Sequence, residues 1–183
     1  MQYTQIINDA KAKMSKGVAH FVEETKGLRS GRATPALIEN IRVDYYGSPT
    51  PLKQVASISI PEPRALLIKP FDASVIKEIE KAIQKSDIGI NPQTDGKVMR
   101  LVIPPMSEEQ RKKLVGRVKE LAEAARVSLR NLRRDLNKAV DDATELTDDD
   151  ITKAKDEIQK LLKHAEAEVD QNVAAKTKEI MET

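Results

Sequence analysis

Three stretches of this chain repeat apolar residues at three- and four-residue steps, and the segment between the first and second does not. In residues 3–30, Ile7, Met14, Phe21 and Leu28 recur in sevens, with Ala10 and Val18 between them. From residue 107 to about Glu145 a stripe runs from Leu114 through Leu121, Leu129 and Leu136 to Ala143. After Thr147 a third runs through Ile151, Ala154, Ile158, Leu161, Ala165 and Val169 to Ile180. That period marks one apolar face of an α-helix. Three such helices can satisfy one another along a shared seam, so the expectation is a three-helix bundle and a monomer.

Local signals agree with these helices. Ser107 and Gln110 have the spacing of a capping box at the start of the second helix. Thr147 is placed to cap the third, with Asp148, Asp149 and Asp150 at its positive end. The acid triplet could also suit a metal, but no further ligand lies nearby in sequence, and capping is the preferred reading. Gly17 and Gly27 weaken the first helix, which therefore depends on packing.

Residues 31–105 differ in kind, being rich in proline and β-branched side chains. Ile41–Tyr46, Val55–Ile60, Ala65–Lys69 and Val98–Ile103 read as strands, and Ser74–Ser86 reads as a helix into which Asp72 turns. Gly47–Pro51 and Asn91–Gly96 read as turns. The expected fold is thus α+β. Residues 1–30 and 106–183 form a discontinuous helical domain, and residues 31–105 form an inserted β/α/β domain. The two short connections, 31–35 and 103–106, are read as a hinge delimited by Pro35, Pro104 and Pro105.

The net charge is only +2, so any anion-binding site must come from clustering. Between Arg111 and Lys138 there are ten Lys/Arg against three acids, Glu120, Glu123 and Asp135. At about 100° per residue, Lys112, Lys119, Arg126, Arg130, Arg133 and Arg134 fall in one arc beside the apolar stripe. Guanidinium forks in a row suit phosphate. On residue pattern alone the arc is either a solvated face or a nucleic-acid contact. With three Tyr, two Phe and no Trp, base stacking on an aromatic platform is disfavoured, leaving phosphate and shape. Arg29 and Arg32 add cations at the expected elbow.

Signs of catalysis are missing. The chain has no cysteine and no glycine-rich phosphate loop. His20 and His164 lack an evident third group, Ser57 and Ser59 lack a nucleophile elbow, and Glu78 and Glu80 point apart on their helix. The expectation is no enzyme, no metal and no cofactor, with any nucleotide hydrolysis supplied by another molecule. No apolar run approaches the roughly 20 residues of a membrane span. The polar N-terminal stretch does not read as a secretory signal, so no membrane partner and a cytoplasmic location are expected.

Leu28–Ile60 (LRSGRATPALIENIRVDYYGSPTPLKQVASISI), Phe71–Gly96 (FDASVIKEIEKAIQKSDIGINPQTDG) and Ala125–Asp135 (ARVSLRNLRRD) together resemble the ribosome recycling factor family. The resemblance covers essentially the whole chain, in the order helix, insert, helix, helix. It implies an L-shaped molecule of transfer-RNA-like outline that binds the bacterial ribosome after termination. It implies that the bundle lies on the large subunit against ribosomal RNA. Elongation factor G and GTP then drive a movement of the small domain that splits the subunits. By this resemblance Arg133 matches the family's functionally important bundle arginine, with Arg126, Arg130 and Arg134 around it, and Arg29 and Arg32 match its elbow arginines. The segment Tyr45–Pro51 and the faces of the small domain are weaker candidates for the elongation-factor contact. Asp135 could instead pair with and orient an arginine. A helical protein adaptor is the competing class, separable by salt dependence of binding; a hydrolase in the small domain is a third.

Overall fold

The chain runs through α1 (Tyr3–Lys26), a 3-10 turn (Pro35–Leu37), β1 (Arg42–Tyr45), β2 (Ser48–Pro51) and the single helical turn α2 (Leu52–Val55). It continues through β3 (Ala56–Glu62), β4 (Ala65–Pro70), a 3-10 turn (Ala73–Val75), α3 (Ile76–Lys85), β5 (Gln93–Asp95), β6 (Val98–Val102), α4 (Glu108–Asp141) and α5 (Asp148–Met181). These elements come from a computed structural model that describes residues 3–182. They divide into two units: the described residues up to Arg29 with Glu108–Glu182, and Ser30–Ser107.

The helical unit is built on one elongated core. Its α1 layer is Ile6, Ala10, Met14, Val18 and Phe21, meeting Ala122, Leu129, Leu136 and Val140 of α4 and Ala154, Ile158, Leu162, Ala165 and Val169 of α5. The buried face of α1 therefore advances mostly in fours. The sevenfold series read from the sequence keeps Met14 and Phe21, but Ile7 is half-buried and Leu28 lies beyond the helix end. A strict seven-residue repeat drifts about 20° per heptad on a straight helix, and the run of four-residue steps from Ile6 to Val18, drifting the other way, is corrected by the three-residue step to Phe21. Gly17 lies where α1 and α4 come close, since a Cβ there would sit 3.2 Å from Leu129 Cδ2.

Two helix ends fall short of the sequence reading. α1 stops at Lys26, and α4 stops at Asp141, followed by backbone bonds from Ala143 N to Val140 O and from Leu146 N to Ala143 O. At the start of α5, Thr147 Oγ1 accepts from Asp150 N at 3.2 Å and the Asp150 carboxylate accepts from Thr147 N at 3.4 Å. The triplet Asp148–Asp150 is thus a capping device placed at the positive end of the helix.

In the small unit a four-stranded antiparallel sheet has the order β3-β4-β6-β5, and β1 and β2 form a separate hairpin. β4 is central and the most buried strand, and α3 covers it with Ile79 and Ile83 against Leu66, Ile68, Met99 and Leu101. Two strands lie where turns were expected. β2 contains Pro49 and Pro51, tolerated because the strand pairs on one side only. β5 is three exposed polar residues, too short to show a pattern. The β1–β2 turn is just Tyr46–Gly47, with φ of +50° and +84°, the arrangement that a tight hairpin needs to match strand twist. Val55, read as the first strand residue, instead ends α2.

The chain enters and leaves this unit beside one turn. Ala33 N donates to Pro63 O and Ile103 N donates to Arg64 O, both at 2.8 Å. Ala33 and Ile103 are buried in the small core, and Pro35 opens the 3-10 turn inside the unit. The segments 31–35 and 103–106 are therefore partly built into the small unit, not loose throughout.

Candidate nucleic-acid interface

The arginines of α4 do not form a uniform solvated row. Arg126 is held between two acids: its Nη1 lies 3.2 Å from Glu123 and its Nη2 2.5 Å from Asp170 on α5. The bond to Asp170 is the main reason that its guanidinium is held above the ordinary arginine range. Arg130 donates from Nε to Glu166 at 3.2 Å and lies 3.8 Å from Glu123 through Nη1. Two guanidiniums thus meet three carboxylates, leaving this part of the α4–α5 seam with one net negative charge.

One turn further the chemistry changes. Arg133 Nη1 donates to Gln159 Oε1 at 3.1 Å, an uncharged partner, and its buried Nε has no protein acceptor among the described residues. Arg134 is exposed and, among the described residues, unpaired. Asp135 makes no ion pair with any arginine among the described residues, because a position two residues from Arg133 points elsewhere on the helix. Arg29 is the last residue of the helical unit and Arg32 belongs to the small unit; both are exposed. The structure therefore brings together Arg126, Arg130 and Arg133 along one seam, with Arg134 on its outer side.

Three residues with a part in this seam escaped the sequence reading as site candidates. Gln159 carries no charge and gave no signal. Lys163 lies one turn beyond it on α5, and Lys138 one turn beyond Arg134 on α4; both are exposed and unpaired among the described residues. Only Lys138 had a cue, its helical spacing from Arg134.

Three comparisons bear on what this seam belongs to. The family model described as Ribosome recycling factor matches residues 21–181. The chain belongs to the ribosome recycling factor family. It is 50% identical over 181 residues to the ribosome-recycling factor of Geobacillus sp. (strain WCH70), covering 97% of this chain and 98% of that one. It is also 50% identical to the factor of Symbiobacterium thermophilum, with the same coverage. A solution structure of the ribosome recycling factor aligns at TM-score 0.77 and 36% identity, over 100% of this chain and 99% of the other. A second structure, at TM-score 0.63 and 37% identity over 98% and 99%, represents the T. thermophilus ribosome recycling factor with E. coli elongation factor G on the E. coli post-termination complex. Membership in this family makes the chain a translation factor with an α+β fold of long helices and a small sheet domain.

Other charged side chains of this family member have local roles. His20 and His164, both exposed, each sit beside a glutamate four residues on, 3.5 Å and 3.2 Å away. They lie on their own helix faces and do not meet. In the small unit, the Tyr46 hydroxyl donates to Asp72 at 2.6 Å, and Asp72 also accepts from Ser74 N and Ser74 Oγ. These bonds, the one from Tyr46 foremost, hold the Asp72 carboxyl below its ordinary value. No described helix is long and apolar enough to cross a membrane.

Proposed function

We propose that this chain binds the post-termination ribosome on its large subunit and, with elongation factor G and GTP, splits it into subunits for reuse. The observation that carries this reading is the pair Arg133 and Arg134, not neutralised by acids, on a 34-residue helix of a ribosome recycling factor family member. Guanidinium groups fixed on a stiff rod can grip RNA phosphates without reading bases. The assembled neighbour, with elongation factor G on a post-termination complex, supports the choice of partner. The chain itself performs no chemistry in this reading, and the elongation factor supplies GTP hydrolysis. Arg29 and Arg32 contribute further phosphate contacts, and the factor works as a monomer in the cytoplasm. The small unit moves about a hinge at its two chain crossings, with the pivot outside Ala33 and Ile103, since both are pinned into its core.

The test is sedimentation of post-termination ribosomes after incubation with this protein, elongation factor G and GTP. Whole ribosomes are expected to become subunits only when all three are present, and Arg133→Ala is expected to lose the effect. Binding without splitting on ribosomes of a close relative would overturn the reading.

A further inference from the structure

Along one seam, α5 offers two kinds of partner to the arginines of α4. Glu166 and Asp170 are carboxylates, and with Glu123 they cancel the charge of Arg130 and Arg126. The side chain of Arg126 is only 24% exposed, so its fork is turned into the helix pair. Gln159 is an amide. It fixes Arg133 with one hydrogen bond and leaves the positive charge whole. Because Gln159 and Glu166 both touch α4, Lys163 between them stands at the edge of the same seam. Arg134 and Lys138 lie one turn apart on the outer side of α4. Among the described residues, Arg134, Lys138 and Lys163 are unpaired, and Asp135 and Asp156 on the same helices pair with none of them.

We infer that the phosphate-binding site of the helical unit is Arg133, Arg134 and Lys138 of α4 with Lys163 of α5. Gln159 is its positioning residue, and Arg126 with Asp170 is a strut between helices outside the site. The inference deepens the ribosome-binding reading and rests on it. An uncharged acceptor at residue 159 is what separates the two halves: a carboxylate there would turn the binding half into a second strut.

Gln159→Glu makes that change with no change of shape. The protein and its variants are titrated onto isolated large ribosomal subunits of a Geobacillus over a salt series, with thermal midpoints measured in parallel. Gln159→Glu is expected to keep the thermal midpoint, bind about fivefold more weakly at ~0.1 M salt, and lower the slope of log affinity against log salt by about one. Lys163→Ala tests the site independently of Arg133 and is expected to lower the slope by about one. Arg126→Met is expected to lower the thermal midpoint and leave the slope unchanged. Wild-type affinity and slope for both Gln159→Glu and Lys163→Ala, with binding lost in Arg133→Ala, would overturn the inference and keep the ribosome reading. So would a loss of slope in Arg126→Met equal to that in Arg133→Ala. Undiminished binding by Arg133→Ala and Arg134→Ala together would overturn the underlying reading as well.

Discussion

Leu136 in the helical unit and Ile68 in the small unit are both buried, 4% and 0% exposed, yet their cores are of different kinds. Leu136 belongs to a file of side chains strung along three helices, where each turn meets the turns beside it. Ile68 belongs to a closed cluster fed by β4, β6 and α3, whose members are tens of residues apart in sequence. A file can loosen at one end and hold at the other. A closed cluster of this size has no second half to fall back on.

The strongest way to break that contrast is to empty both places. Ile68→Ala is expected to cost about 4 kcal/mol and Leu136→Ala about 3 kcal/mol. Amide exchange should quicken through all four strands in the first variant. In the second it should quicken around Leu136 and leave the Glu108 end of α4 protected. Equal loss along the whole of α4 would show that the file behaves as a single closed core.

The same contrast explains what could be read from sequence. Helix periods and the Thr147 cap depend on residues a few places apart, so three helices and the inserted domain were legible. The resemblance carried by LRSGR and ARVSLRNLRRD then supplied the family. In the small unit, Pro49 and Pro51 argued against a strand, β5 was too polar to betray one, and a tyrosine at positive φ gave no turn signal. The arginines themselves were visible, as was Glu123 three residues before Arg126, but their other partners lie 26 to 44 residues away on α5. Which of them are fully neutralised depends also on the pairing of two antiparallel helices, and spacing within α4 does not encode that.

Glycines sharpen the comparison at smaller effect. Gly47→Ala is expected to destabilise the small unit by about 1 kcal/mol, because φ of +84° crowds a Cβ against the following carbonyl. Gly116→Ala meets nothing within 4 Å and is expected to stabilise the helical unit by about 0.8 kcal/mol through helix propensity. Urea unfolding of the two variants measures both, and like signs would contradict the assignment of one glycine to geometry and the other to tolerance.

The smallest effect concerns the bond from Tyr46 to Asp72. The folded carboxyl of Asp72 lies below 3.8, so its contribution is complete above that value and fades as pH falls through the lower folded value. Tyr46→Phe should therefore lower the thermal midpoint slightly at neutral pH, by an amount that shrinks as pH falls below 3.8 and the carboxyl takes up its proton. An undiminished difference at the acid end would assign the effect to packing of the ring and not to the carboxylate.

Ala33 and Ile103, on the two passages into and out of the small unit, are tied to the adjacent carbonyls of Pro63 and Arg64. A tug along either passage therefore reaches the β3–β4 hairpin at its closed end. Load arriving there divides between β3, at the edge of the sheet, and β4, inside it. The two chain ends of the small domain thus share a single anchor, the turn that closes one hairpin.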